Sequence, residues 1–201
     1  MFKWDNKKSI WISLEGNQRM IYFSSDLHLN HAKDFIYKPR NFDNIFAMNK
    51  TIIKNFNQII TYDDDLYLLG DTFLGDLSAG ISLFNQLPGK IHLIWGNHCT
   101  DNRKIAMSQC YNVVEVVGFA GMLHYHKYHF YLSHFPTYTT NFNDYQKPLK
   151  QRTLCLAGHT HSKETFEPCG SYNVAVDAHN CFPVSIDKVI EDFKNKYEGQ
   201  K

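Results

Sequence analysis

The sequence predicts an α/β fold in which two β-sheets pack together with helices outside them. In the first half of the chain, apolar strand-like runs at residues 20–25, 66–69 and 91–95 alternate with segments whose apolar residues recur every three or four positions, as on one face of a helix. From residue 113 onward, strand-like runs follow one another without intervening helices. Helix-linked strands followed by hairpin-linked strands indicate this two-sheet arrangement.

Composition restricts the class of protein. A chain of 201 residues suits one domain with a sizeable core, and a net charge of +1 gives no overall attraction to nucleic acid or acidic membranes. The sequence shows no apolar run of transmembrane length and no signal-peptide pattern at its start. Five scattered cysteines without a Cys-x-x-Cys motif favour free thiols in a reducing compartment. We therefore expect a cytoplasmic protein, in the host cytoplasm if it is viral, with no membrane partner.

The first half predicts these elements in order. Residues 1–19 form a short N-terminal extension, interpreted as a hairpin because residues 9–14 alternate and residues 15–18 suit a turn; residues 20–201 form the single domain. A strand at 20–25 leads into a polar loop, and a helix follows over 45–59 because its apolar residues fall on one face. Then come a strand at 66–69, a helix at 78–87 ended by Pro88-Gly89, a strand at 91–95 and a short helix at 101–109.

The second half predicts a second sheet. Strands at 113–117, 118–125 and 128–133 begin it, and strands at 154–157 and 172–176 continue it. A helix over 185–193 completes the fold.

Polar clusters follow the ends of five predicted strands. They are Asp26-Leu27-His28, Gly70-Asp71, Gly96-Asn97-His98, His134 and Gly158-His159-Thr160-His161. In open α/β sheets, ligands bind beyond the carboxyl ends of the strands, so we expect the five clusters to converge.

The clusters supply a set of metal-ligand side chains with nitrogen and oxygen donors. The set is Asp26, His28, Asp71, Asn97, His134, His159 and His161. It contains no thiolate, so it suits Mn²⁺ first, with Fe, Zn, Ni or Co as alternatives. Seven ligands are too many for one ion with open positions, but they fit two divalent ions roughly 3.5–4 Å apart that share a carboxylate. Asp71 is the natural bridge, since a carboxylate has two oxygens, and a hydroxide held between two ions can attack phosphorus.

The order of these motifs resembles that of the calcineurin-like metallophosphoesterase superfamily. Residues 23–31 and the Asn-Val-Ala-Val-Asp block at 173–177 resemble its small bacterial and phage phosphoesterases, and the match covers roughly residues 22–193. The resemblance implies a four-layer αββα fold with two central mixed sheets. It implies one metal on Asp26, His28, Asp71 and His161, and a second on Asp71, Asn97, His134 and His159. It also implies that His98 faces the leaving-group oxygen as an acid or transition-state stabiliser, so that His98 and Asp71 are the predicted catalytic residues.

One position departs from the family pattern. The residue after Gly-Asn-His is usually acidic, whereas here it is Cys99. Without an acidic residue at this position, the role of His98 as an acid stays open. The nearby Asp101 is the alternative partner for that histidine.

Substrate contacts are predicted less directly. His31 follows His28 by three residues, and Arg40 can hold a phosphate bidentately, with loop solvation as the alternative for Arg40. The segment 135–153 combines aromatic and basic residues that can stack a base and neutralise phosphate, although an ordinary surface loop has the same composition. The members are Tyr138, Phe142, Tyr145, Lys147, Lys150 and Arg152.

The favoured interpretation is a phosphodiesterase that hydrolyses a small, nucleotide-like diester. A phosphomonoesterase or protein phosphatase, a nuclease acting on nucleic-acid ends, and a non-enzymatic metal-binding scaffold are the alternatives. The near-zero net charge disfavours a nucleic-acid partner without excluding one, and the sequence leaves the natural substrate, the native metal and the oligomeric state open.

Overall fold

The computed structural model describes residues 2–5, 10–13, 19–139, 144 and 146–198. Its strands are β1 (Phe2–Asp5), β2 (Ile10–Ser13), β3 (Ile21–Ser24), β4 (Asp65–Leu69), β5 (Lys90–Ile94), β6 (Val113–Gly118), β7 (Ala120–Tyr125), β8 (Tyr128–Ser133), β9 (Thr153–Ala157), β10 (Tyr172–Asn173) and β11 (Val184–Ser185). Its helices are α1 (Asp34–Tyr37), α2 (Ile45–Ile59), α3 (Leu77–Phe84), α4 (Asp101–Ser108) and α5 (Ile186–Tyr197), with a 3-10 turn at Leu149–Gln151. None of the helices in these described ranges is long and apolar enough to cross a membrane.

Two mixed sheets form the centre of the molecule. The larger has the order β11-β3-β4-β5-β6, with β3 to β6 parallel and β11 antiparallel to β3. The smaller has the order β10-β9-β8-β7, in which β7 and β8 are antiparallel and the other neighbours are parallel. The predicted fold class, an α/β sandwich with two mixed sheets, is confirmed.

The predicted topology is wrong for strand β6. We expected the second sheet to begin at residue 113, but β6 pairs in parallel with β5 and is the edge strand of the larger sheet. The cause is α4, which lies between β5 and β6 and provides the crossover that a parallel connection needs. The second sheet therefore begins at β7.

Other differences are small. The strands β10 and β11 have two residues each, and helix α1 occupies part of the segment predicted as a polar loop. Strand β1 pairs antiparallel with β2 within the predicted N-terminal extension. The predicted turn at 15–18 lies outside the described residues, and the division into extension and domain stays a prediction.

Two apolar clusters hold the layers together. On one face of the larger sheet, buried residues of α2 such as Met48, Ile52 and Phe56 pack with alternate residues of β4 and β5. The other cluster joins residues of both sheets, including Phe23, Leu69 and Phe130, with the buried face of α5. The central strands β4 and β5 are thus mostly buried, whereas the edge strand β6 is partly exposed.

Candidate metal centre

The backbone leaves the strands in an unusual conformation at this site. Ten described non-glycine residues have positive φ, between 48° and 75°. Half of them are predicted metal ligands: Asp26, His28, Asp71, His159 and His161. The left-handed region costs an L-residue roughly 1–2 kcal/mol, and such conformations cluster at functional sites. The five ligands are therefore held by a strained framework that turns their side chains towards a common point.

The first donor group consists of Asp26, His28 and His161. Their ligand atoms lie within 4.8 Å of one another. The Asp26 Oδ1 atom is 3.9 Å from His28 Nε2 and 3.7 Å from His161 Nε2. These separations are too long for hydrogen bonds, and they leave room for an ion between the three donors.

The second donor group consists of Asp26, Asp71 and His134, also within 4.8 Å. Asn97 and His159 lie beside it: Asn97 Oδ1 is 2.8 Å from His134 Nε2 and 3.1 Å from His159 Nδ1. The structure thus brings all seven predicted ligands together in two adjoining groups.

The carboxylate common to both groups is Asp26, whereas the sequence argument chose Asp71 as the bridge. Each carboxylate has one oxygen fixed by a backbone N–H group: His159 N donates to Asp26 Oδ2 (2.8 Å) and His98 N donates to Asp71 Oδ1 (2.9 Å). The second oxygen of each carboxylate faces the histidines, and Asp71 Oδ2 lies 3.4 Å from His134 Nε2. The bridging role of Asp71 therefore stays a proposal, with Asp26 as a second candidate.

Two glycines allow the backbone to approach these carboxylates. A Cβ atom at Gly96 would collide with Asp71 Oδ1, and one at Gly158 would collide with Asp26 Oδ2 and Ser25 Oγ. The glycine in each of these strand-end motifs is thus required for the close packing of the donor groups.

Unpartnered buried atoms indicate that a cation fits here. Asp26 Oδ1 and His28 Nε2 are buried and have no hydrogen-bond partner. A buried polar atom without a partner costs roughly 1–3 kcal/mol, more when it is charged. Both atoms face the first donor group, where a divalent ion would satisfy them together. The donor set and its orphaned atoms therefore fit a metal.

Hydrogen bonds orient the histidines. His134 Nδ1 is 2.8 Å from the Leu69 carbonyl oxygen, so Nδ1–H donates there and Nε2 is free to face Asp71. His161 Nδ1 lies 3.1 Å from Asp177 Oδ2, which leaves its Nε2 facing Asp26. Metal-binding histidines commonly use one ring nitrogen in this way, because the outer hydrogen bond fixes the tautomer.

The electrostatics of the metal-free site also favour a cation. Burial opposes ionisation of Asp26 and Asp71, but the neighbouring imidazoles outweigh it and hold the pKa of both carboxyls below the ordinary value. Burial lowers the pKa of His28, whereas for His134 and His161 the nearby carboxylates outweigh burial and raise the pKa. His134 and His161 thus hold a proton more tightly than a free imidazole does, so protons compete with a metal at these two ligands.

The position of the Arg40 side chain differs from the one that we predict for a phosphate-binding residue. Its guanidinium is 3% exposed and donates from Nε and Nη2 to the two carboxylate oxygens of Asp177, at 2.8 and 2.7 Å. It also donates to the backbone carbonyls of Asp26 (2.8 Å) and Leu27 (3.1 Å). The group is committed to these acceptors rather than presented to a phosphate, so its geometry is that of a residue that positions the ligand loop.

Asp177 is the functional residue that the sequence argument did not assign. It links Arg40 to His161, and together those two groups outweigh its burial and hold the pKa of its carboxyl below the ordinary value. The sequence did point to this residue, because Asp177 ends the block at 173–177 that resembles the family.

His31 lies directly beside the first donor group. Its ring stacks on His28 with centroids 5.2 Å apart, and the two Nδ1 atoms are separated by 3.1 Å. Burial and the neighbouring histidines His28 and His98 lower the pKa of His31 to about 4, so its ring is neutral at pH 7. The contact orients His28, and a direct substrate contact by His31 stays a proposal.

His98 is exposed at the edge of the cluster, with its ring edge-on to His28 at a centroid distance of 5.8 Å. Cys99 points the other way: it is buried in the core, its Sγ accepts from Gly96 N, and burial raises its thiol pKa. Asp101 is exposed and pairs with Lys104 at 3.3 Å. Asp101 thus pairs with a lysine on its own helix, and a role as the partner of His98 stays a prediction.

In the described part of the segment 135–153, two of the basic residues have partners within the segment. Arg152 is buried and donates to the Lys147 carbonyl oxygen, and Lys147 pairs with Asp144. Phe142 and Tyr145 lie outside the described residues.

Comparison with known proteins places the chain in a family. No protein-family model matches it. The uncharacterized protein MJ1445 of Methanocaldococcus jannaschii is 34% identical over 185 residues, which is 87% of this chain and 92% of that protein. The crystal structure of AQ665, a protein of unknown function from Aquifex aeolicus, has a TM-score of 0.66 at 23% identity and covers 88% of this chain and 100% of its own, which supports the fold.

A weaker likeness is to an archaeal phosphodiesterase, with a TM-score of 0.47, 16% identity, and coverage of 77% of this chain and 81% of that one. At this TM-score the likeness gives no information about the activity of this chain. The sequence identity to MJ1445 over most of both chains decides the family. The chain belongs to the same family as MJ1445.

Proposed function

We propose that this protein is a metal-dependent phosphodiesterase that hydrolyses a small, nucleotide-like diester. The observation that carries the proposal is the convergence of seven ligand-type side chains, from five strand ends, in two adjoining donor groups with Asp26 in both. Two-metal sites can stabilise both the attacking and the leaving oxygen of an in-line displacement, which is the reaction that hydrolysis of a phosphodiester needs.

The residues that would hold the ions follow from the two groups. Asp26, His28 and His161 would hold one ion, and His134, Asn97 and His159 the other, with Asp71 between them. When bound, divalent ions supply a strong nucleophile from water at neutral pH and neutralise the charge on a phosphoryl group. We propose Mn²⁺ as the working ion because the donors are carboxylates, imidazoles and an amide.

His98 is the proposed proton donor. Its ring is exposed beside the first group, while its backbone N–H is fixed on Asp71 Oδ1 at 2.9 Å. The same Asp71 carboxylate therefore holds the donor loop and faces the ligand histidine His134. From this position the imidazolium of His98 can give its proton to the departing alkoxide of the ester.

The charge of the site favours a diester over a monoester. A phosphomonoester carries roughly −1.5 to −2 charge at pH 7, whereas a diester carries one negative charge. Arg40, the cation expected to hold the extra charge, is occupied by Asp177 and two backbone carbonyls. A phosphomonoesterase, a nuclease and a non-enzymatic scaffold are the alternatives that the experiment must separate.

The experiment compares bis-p-nitrophenyl phosphate with p-nitrophenyl phosphate after loading with Mn²⁺. We expect turnover that EDTA abolishes and a higher kcat/KM for the diester. A monoester kcat/KM tenfold above that of the diester would indicate a phosphatase, and a folded, metal-loaded protein without turnover on either would indicate a scaffold. Asp26→Asn should lose activity, and Asp63→Asn, at a surface ion pair with Lys90, is the matched control.

A further inference from the structure

Two phenylalanines stand exposed at the edges of the metal centre. Phe35 is 69% exposed and Phe135 is 48% exposed. Burying a phenylalanine side chain contributes roughly 1.5–3 kcal/mol, so leaving two of them in water beside a polar site forgoes stabilisation. Exposed aromatic side chains at a site are characteristic of surfaces that bind flat ligands.

The Phe35 side chain is held in place by its surroundings. It lies on helix α1, whose neighbouring residue Ile36 is buried in the core and anchors the helix. The Phe35 ring contacts His31 edge to face, with centroids 5.7 Å apart at 89°, and His31 in turn stacks on His28. Phe35 therefore belongs to the side of the first donor group.

The Phe135 side chain lies on the side of the second donor group. Its ring centroid is 4.6 Å from that of His159 and 5.0 Å from that of His134. Its backbone carbonyl accepts a 2.7 Å hydrogen bond from Ser133 Oγ, which fixes the chain immediately after strand β8. Phe35 thus lies on the side of the first donor group and Phe135 on the side of the second.

The other two exposed phenylalanines among the described residues lack this placement. Phe46 lies on α2 in an apolar groove with Ile53 and Leu83, away from the donor groups. Phe119 is exposed but lies under the ammonium of Lys104 at 5.1 Å. Among these rings, only Phe35 and Phe135 touch histidines of the site.

We propose that Phe35 and Phe135 form a stacking subsite that selects phosphodiesters carrying a flat aromatic group such as a nucleobase. The inference rests on the proposed function, since it assigns the substrate class of the same site. A phosphate bound between the donor groups would have an exposed aromatic ring on the side of each group. Stacking on such rings accepts any base, so the subsite selects flat aromatic groups as a class.

The kinetic test uses two diesters with the same leaving group: thymidine 5′-(p-nitrophenyl phosphate) and methyl p-nitrophenyl phosphate. For the Mn²⁺-loaded protein we expect kcat/KM to be roughly 5- to 100-fold higher for the thymidine ester, the range for stacking one base on aromatic side chains. In the double variant Phe35→Leu/Phe135→Leu this ratio should fall to within about twofold of one. Phe46→Leu, which changes an exposed phenylalanine elsewhere, should leave the ratio unchanged.

The outcomes separate the two claims. A wild-type ratio near one, or a double variant that keeps the wild-type ratio, overturns the stacking subsite while the phosphodiesterase proposal stands. If neither ester is hydrolysed, the proposed function fails, and calorimetric titration then tests the subsite without turnover. In that titration, wild type should bind thymidine 5′-monophosphate at least fivefold more tightly than methyl phosphate, and the double variant should bind both equally. Equal binding by wild type would overturn the subsite.

Discussion

Replacing Asp177 with asparagine removes the carboxylate that neutralises a buried guanidinium beside the metal ligands. Arg40 and Asp177 are 3% and 7% exposed, and two hydrogen bonds of 2.8 and 2.7 Å join them. Removing one partner of a buried ion pair costs about 3–5 kcal/mol, because the remaining charge is left without compensation. An asparagine retains one acceptor oxygen, so for Asp177→Asn we expect the free energy of unfolding to fall by about 3 kcal/mol.

The assay is urea unfolding of the metal-free proteins at pH 7, followed by circular dichroism. Asp63→Asn, at a half-exposed ion pair with Lys90, is the matched control and should change the free energy of unfolding by less than about 1 kcal/mol. A loss below about 1 kcal/mol for Asp177→Asn would refute the argument that this pair stabilises the ligand loop.

The same pair has a defined pH dependence. Because the pKa of Asp177 lies below its ordinary value in the folded protein, its contribution is fully present at pH values above the ordinary carboxyl pKa. The contribution is lost as the pH falls through the lowered value. The difference in stability between wild type and Asp177→Asn should therefore be largest at neutral pH and shrink on acidification, and a difference that grew on acidification would contradict the assignment.

Four further outcomes follow from the same geometry. Asp71→Asn should lower both metal occupancy, measured by elemental analysis, and turnover; wild-type activity at low metal concentration would remove Asp71 as the bridge. His98→Ala should retain its metals but lose roughly 10²–10⁴-fold in kcat on diesters with alkyl leaving groups, and less on p-nitrophenyl esters, whose leaving group hardly needs a proton. Gly158→Ala should weaken Mn²⁺ binding, titrated by electron paramagnetic resonance, because its Cβ would collide with Ser25 Oγ and Asp26 Oδ2. In the same titration, Mn²⁺ affinity should fall from pH 8 to pH 6, since the raised pKa of His134 keeps a competing proton on a ligand, and a pH-independent affinity would contradict that reasoning.

The strand ends could be predicted from the sequence because local residues determine them. The apolar residues 93–95 lead directly into Gly96-Asn97-His98, and strand β5 accordingly ends at Ile94. The apolar face of α2 is equally local, and its predicted limits coincide with those in the structure. Once five strand ends carry metal-ligand side chains, the parallel topology brings them together.

The sheet to which β6 belongs could not be predicted from the residues of that strand. A strand at the edge of either sheet has the same pattern of apolar and polar residues, so Val113–Gly118 alone does not indicate its neighbours. The preceding helix α4 carried the missing information, because a helix between two strands favours a parallel pair in one sheet.

The partner of Arg40 could not be predicted from the sequence either, since Asp177 lies 137 positions away in the chain. Sequence spacing does not report such a contact, and an arginine in a polar loop has the same composition whether it binds phosphate or a buried carboxylate. The left-handed backbone conformation at Asp26 and His28 could not be predicted either, because neither residue is a glycine, the residue type that usually adopts this conformation.

The number of metal ions per chain tests the central claim most directly. We expect wild-type protein that is loaded with Mn²⁺ and freed of excess metal to contain close to two ions per chain by elemental analysis, because it has two adjoining donor groups. Asp26→Asn, which alters the carboxylate common to both groups, should hold fewer ions than wild type, whereas Asp63→Asn should hold two. A well-folded, fully loaded wild-type sample that never exceeds one ion per chain would contradict the binuclear centre.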